Sequence, residues 1–152
     1  MRNFREYDIY INGMKITKSI YKVTENIDAS EKYGLTRQMR RAAVSIPSNI
    51  AEGASRASEK DFARFLEMAV GSAFELETQL ILATDLKYLK TEMIKDILGE
   101  LSRLQKQIHH LIKILRKKWE LLIQSQSKCQ RQSQRQEPLV ENNKWSRSTR
   151  IK

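Results

Sequence analysis

Apolar residues recur along most of this chain at steps of three and four, separated by polar residues, which is the spacing of amphipathic α-helices rather than of strands. Phe4, Tyr7, Ile11, Met14, Ile20 and Tyr21 lie on overlapping helical stripes without a proline, predicting a first helix from Phe4 to about Thr24. Gly13 weakens it by up to ~1 kcal/mol relative to alanine. The stretch YINGM taken alone suggests a hairpin, but its flanks do not alternate as strands do. DASEKYGLT then supplies turn residues, with Thr36 as the expected cap of a second helix that ends near Gly53.

That second helix contains Pro47. Met39, Ala43, Ile46 and Ile50 keep a helical period through it, and Ser45, Ser48, Asn49 and Glu52 form a separate polar row. An interior proline cannot donate to the carbonyl four residues back, here that of Ala43, and costs ~3 kcal/mol. The offset is expected from nearby Ser and Asn side chains and from a kink that lets Ala43, Pro47, Ala51 and Ala54 pack closely. Two readings fit: a kinked core helix, or a ligand or partner site built on the kink.

A third helix opens on SEKD, a near capping box with Ser58 as cap and Asp61 at its third position, and its pattern runs without proline to Leu86. Phe62, Leu66, Ala69, Ala73, Leu76, Leu80 and Ala83 form one stripe, and Val70, Phe74, Ile81 and Tyr88 form another. A helix with one core needs one stripe, so the second points to self-association or to a central place in the monomer. A fourth helix, capped by Thr91 and reaching about Gln124, carries Ile94, Ile97, Leu101, Leu104, Ile108, Leu111, Leu115 and Leu122 as a heptad-like seam. Everything after about Ser127 is Gln- and Ser-rich and then basic, a composition that cannot build a core. The expected organisation is an all-α, antiparallel up-down-up-down four-helix bundle over residues 1–126, with a disordered basic tail over 127–152.

Composition narrows the function. The 152 residues suit one domain, and Cys129, the single cysteine, has no partner for an internal disulfide. The N-terminus lacks the unbroken apolar stretch of a signal peptide. The longest uncharged run, Ala42–Ala51, is too short and too polar to span a bilayer. A cytoplasmic protein without membrane contact is expected. The formal charge of +10 is concentrated toward the C-terminus, where ten Lys and Arg from Arg116 onward face only Glu120, Glu137 and Glu141. Nucleic acid or an acidic membrane surface is the leading polyanionic partner that such a charge suggests.

Catalytic and metal chemistry find little support. His109 and His110 are adjacent and diverge by about 100° on a helix, and the residues three before them are Lys106 and Gln107, so neither makes the Glu-x-x-His of a di-iron bundle. Glu75 and Glu77 likewise diverge, and no Gly-rich phosphate loop or nucleophile–base set is present. No enzyme, cofactor or metal is expected. Three basic rows stand out instead: Lys15, Lys18 and Lys22 on helix one, Arg37, Arg40 and Arg41 on helix two, and Lys113, Arg116 and Lys117 on helix four. Each fits phosphate contact with counterion release, and each also fits an ordinary solvated face. Sequence-specific reading has no motif behind it, and Trp145 is a lone tail aromatic that could stack on a base.

The stretch YGLTRQMRRAAVSIPSNIAEGASRASEKDFARFLEMAVGSAFELETQLILATDLKYL closely resembles the four-helix-bundle proteins encoded within intervening sequences of bacterial large-subunit ribosomal RNA genes, a family often mislabelled as ribosomal. The matching motif residues include Tyr33, Gly34, Arg40, Arg41, Ser45, Pro47, Asn49, Glu52 and Gly53, then Glu75, Leu76, Glu77, Thr78 and Gln79. The resemblance spans about Phe4 to Trp119. It departs in helix one, where a tryptophan-glutamine pair is usual near YDIYING, and again in the tail. It implies a barrel-like homopentamer, makes Pro47 a family kink with Ser45, Asn49 and Glu52 as its polar supports, and extends to the basic accessory protein of diversity-generating retroelements. Two functions follow as expectations: nucleic-acid binding by phosphate contacts, or an adaptor role toward a reverse transcriptase or RNA-processing enzyme.

Overall fold

The computed structural model describes residues 2–25, 27 and 34–134, with side chains up to residue 127. Among these residues lie four α-helices and no strand: α1 Asp8–Val23, α2 Leu35–Ser55, α3 Glu59–Asp85 and α4 Thr91–Gln134. The DASEKY connection with Tyr33, the side chain of Cys129 and residues 135–152 with Trp145 lie outside the described set.

The first helix starts later than its apolar pattern suggests. Phe4–Glu6 is a separate 3₁₀ turn, and Tyr7 is extended before α1 begins at Asp8. Aromatic packing accounts for the break. The Phe4 ring meets Tyr10 edge-on at 4.9 Å, and Tyr7 stacks on Phe62 of α3 at 6.0 Å. Thr36 does not cap α2; Gly34 holds the cap position, and Thr36 is 2% exposed on the same face as Met39 and Ala43. Burial of its methyl with that row takes precedence over capping. α2 also runs past Gly53 to Ser55, because the backbone of Gly53 is pressed against Phe62 and Phe65 of α3.

The hydroxyl that addresses Pro47 comes from another helix. Thr17 Oγ1 lies 2.9 Å from the carbonyl of Ala43, the acceptor that Pro47 leaves without its intrahelical donor, and 2.8 Å from the carbonyl of Gly13. Gly13 lets α1 approach this point, since a Cβ there would sit 3.5 Å from Ile46 and 3.6 Å from Pro47. Asn49 Nδ2 donates to the Ser45 carbonyl and to Ser45 Oγ, and Ser72 Oγ of α3 also donates to Ser45 Oγ. Ser45 thus joins α2 to α3 beside Pro47, and Asn49 braces it from within α2. Glu52 does not take part; it pairs with Arg56, whose guanidinium lies over the Phe65 ring.

Neighbouring helices run antiparallel. Gly13 meets Pro47 and Thr24 meets Arg40 between α1 and α2, and Ser45 meets Ser72 while Gly53 meets Phe62 between α2 and α3. Glu59 meets Lys118 and Glu77 meets Gln105 between α3 and α4, and Asn12 bonds Gln107 between α4 and α1. The cycle of contacts is that of an up-down-up-down bundle. Ile16, Ile20, Met39, Ile46, Ile50, Phe62, Leu66, Leu76, Leu80, Leu101, Leu104 and Ile108 fill its interior. Each contributes about 1.5–3 kcal/mol of apolar burial.

Ser58 caps α3 as its sequence indicates, its Oγ accepting from the Asp61 N–H at 3.0 Å. At the other end Lys87 takes the left-handed conformation, φ 64°, and the N–H groups of Lys87 and Tyr88 close the helix on the carbonyls of Thr84 and Ala83. The compact unit ends at Glu120, and a second unit begins at Leu121. Within the second, α4 remains helical to Gln134, past the Gln124 end suggested by apolar spacing. Gln, Lys and Arg are good helix formers, and no Gly or Pro occurs between Gln124 and Pro138, so the helix outlasts its apolar seam.

Candidate nucleic-acid interface

The core stripes decide which charges face outward. Burial of Ile9, Gly13, Ile16 and Ile20 turns Lys15, Lys18 and Lys22 to the exposed side of α1. The buried row Met39, Ala43, Ile46 and Ile50 does the same for Arg37 and Arg41 of α2, and the α4 seam does so for Lys113 and Lys117. None of these seven cations is in an ion pair among the described residues.

Two members of the sequence-derived rows are engaged elsewhere. Arg40 is half-buried; its Nε donates to Thr24 Oγ1 at 2.9 Å, its Nη2 to the Thr24 carbonyl at 3.2 Å, and its guanidinium lies 4.9 Å from the centre of the Tyr21 ring. It satisfies the carbonyl of Thr24, the C-cap of α1, as a cation at a helix C-terminus does. Arg116 reaches across to Glu67 of α3 in an ion pair. Arg40 is therefore tied into the α1–α2 contact, and Arg116 is partly neutralised.

Arg103 and Lys106, which the sequence reading passed over, are exposed on the same side of α4 as Lys113 and Lys117. Arg103 and Lys15 line a notch of about 120 Å³ between α4 and α1, with Asn12, Glu100 and Gln107. Asn12 Nδ2 donates to Gln107 Oε1 at 3.2 Å across it. The signal for Arg103 and Lys106 was their three-residue spacing upstream of Lys113; what hid it was that the pairing of α4 with α1 is not written in local periodicity.

The second stripe of α3 divides. Val70 is buried in the monomer core, whereas Phe74 is 50% exposed and Ile81 is 47% exposed. A groove of about 490 Å³ lies between the α3 start and α4, lined by Lys60, Arg64 and Trp119 among others, with Lys60 Nζ 5.1 Å from the Trp119 ring centre. A shallower apolar recess of about 280 Å³ lies beside Pro47, between Met14 and Val44.

One cluster is charged and tight. Glu59, in the first turn of α3, is paired with Lys118 at 2.6 Å and with Arg2 at 2.8 Å, and Arg2 also donates to the Arg56 carbonyl. The Lys118 bond, with help from Arg2 and against some desolvation, holds the Glu59 carboxyl below its ordinary range.

Comparison with known proteins follows from this architecture. Residues 5–110 match the sequence profile of the 23S rRNA-intervening sequence protein family. A crystal structure of a protein with unknown function from the S23 ribosomal protein family of Bacteroides thetaiotaomicron superposes with a TM-score of 0.64 at 23% identity, covering 69% of this chain and 98% of that one. At that identity the likeness is one of fold. No curated protein matches the chain.

Proposed function

The chain belongs to the 23S rRNA-intervening sequence protein family, and for it we propose a non-enzymatic, homo-oligomeric four-helix bundle of the cytoplasm that binds nucleic acid through phosphate contacts. The carrying observation is the set of outward cations, Lys15, Lys18, Lys22, Arg37, Arg41, Lys113 and Lys117, exposed and free of ion pairs among the described residues. Such groups bind polyanions by releasing counterions, with steep salt dependence and little sequence preference. Half-exposed Phe74 and Ile81 supply an apolar stripe for self-association, and the family resemblance points to a pentamer. Repetition around a ring would turn weak contacts into useful avidity.

A gel-shift titration with a short duplex RNA tests the binding. A shift at about 50 mM salt that is lost by about 200 mM is the expected result, and no shift at the lower salt overturns the proposal. The same apolar stripe supports a second reading, an adaptor for a reverse transcriptase or another RNA-processing protein. Protein partners that stay on the tagged chain after nuclease treatment would favour it.

A further inference from the structure

We propose that the α1–α4 edge of the bundle is the track for one phosphodiester backbone of a nucleic-acid duplex, centred on Arg103 and Lys106 of α4 with Lys15 of α1 across the notch. This rests on the phosphate-binding reading above and assigns it a face and a ligand class.

The charge balance of α4 changes along its length. Glu92, Asp96 and Glu100 outweigh Lys95 on the exposed side of the first turns, and Arg103, Lys106, Lys113 and Lys117 hold the exposed side from there. Steps of three, seven and four residues keep those four cations within one arc of the helix. From Arg103 to Lys117 the rise is ~21 Å at 1.5 Å per residue. A duplex strand rises ~3.4 Å along the duplex axis per phosphate but winds around that axis, so a straight ridge of this length follows a short run of one backbone rather than a full turn. None of the four is in an ion pair among the described residues, so no existing contact must break for binding, in contrast to Arg116.

The notch completes the site from the α1 side. Lys15 and Arg103 stand on its two lips, and Asn12 and Gln107 bridge its floor. Lys18 and Lys22 continue the α1 lip as a second line of exposed cations. Packed helices lie ~8–10 Å apart, so the two lines flank a single backbone rather than converge on one phosphate. Glu100 closes the acidic end of the notch and sets where the track begins. The ridge carries no Tyr, Phe or Trp, and the exposed imidazoles of His109 and His110 are its only rings. Single-strand grooves stack successive bases on several aromatics, so the surface favours an intact duplex.

The test is fluorescence anisotropy with the full chain, using an RNA duplex, a DNA duplex and a uridine oligomer of equal length over a salt series. One variant combines Lys15→Gln, Arg103→Gln and Lys106→Gln; a charge-matched control combines Arg64→Gln, Lys87→Gln and Lys90→Gln, away from the α1–α4 edge. Circular dichroism confirms that both variants are folded. Wild type is expected to bind a duplex more tightly than the oligomer, on the RNA arm, the DNA arm or both. On each duplex that wild type binds, the ridge variant loses about tenfold or more in affinity, and its log–log salt slope shrinks by about 3, while the control slope shrinks by less than about 1. Equal losses in the two variants overturn the ridge and leave the phosphate-binding reading standing. An oligomer bound as tightly as the duplexes overturns the duplex assignment. Wild-type protein that binds no probe at low salt removes the reading beneath both.

Discussion

Two buried glycines in this bundle answer to different neighbours, and the difference fixes the sign of the same substitution. A Cβ on Gly53 would lie 2.7 Å from Phe65 Cβ and 2.9 Å from Phe62 Cδ2, and Phe62 is fully buried and cannot swing away. Gly53→Ala should cost about 1–3 kcal/mol through overpacking. At Gly13 the added methyl meets ordinary contacts at 3.5 Å or more, so Gly13→Ala should stabilise by about 0.5–1 kcal/mol through helix propensity. Urea unfolding of the two variants reads both signs, and a stabilising Gly53→Ala would contradict the packing described. Thr17 and Pro47 form the other residue-scale pair. Thr17→Val leaves the Ala43 carbonyl without its hydroxyl donor and should cost about 1–2 kcal/mol. In a Pro47→Ala background the backbone N–H returns to that carbonyl, and the cost of Thr17→Val should shrink toward zero. Additive costs in this double-mutant cycle would show that Thr17 does not serve the carbonyl that Pro47 leaves free. Pro47 was legible in the sequence as a problem, but its partner on α1 was not, because no local pattern joins residues 17 and 43.

At the scale of elements, the clasp at the start of α3 carries a pH signature. The Glu59 carboxyl, held down chiefly by Lys118, is ionised more readily in the folded chain than in the unfolded one, whose glutamates titrate near 4.5. Its contribution is therefore present above that pH and lost as pH falls through the lower folded value. Lys118 is 61% exposed, which limits the clasp to about 1 kcal/mol or less. Glu59→Gln should destabilise slightly near neutral pH, and the difference from wild type should close as pH falls through the lowered folded value. A difference unchanged by acid would remove Glu59 from the account. The long elements were the most legible: α3 and the seam of α4 follow from spacing alone, and Ser58 caps where its motif says. The ends were less so. Phe4 was read as helix although aromatic packing makes it a separate turn, Thr36 was read as a cap although its place on the apolar face buries it, and α4 outruns its seam on propensity.

At the scale of the molecule, the outward cations and the apolar stripe of α3 occupy different surfaces of one bundle. The basic rows could be read from the chain, since exposure follows from the core stripes, but Arg40 and Arg116 show the limit of that reasoning. Their partners, Thr24 and Glu67, lie on other helices, and only the fold reveals that these two guanidinium groups are already occupied. The same holds in reverse for Arg103, which gains meaning from Lys15 across the notch. If Phe74 and Ile81 mediate assembly, Phe74→Asp with Ile81→Asp should break the oligomer while leaving helicity intact, since both side chains are about half exposed in the monomer and contribute little to its core. The measurement that bears most directly on the whole account is light scattering of the purified protein with and without a duplex RNA, at about 50 mM and about 200 mM salt. The account predicts a mass near five times the 17.8 kDa of one chain at both salts, which takes up RNA at the lower salt and releases it at the higher. A single-chain mass, or an assembly indifferent to RNA at the lower salt, would contradict it.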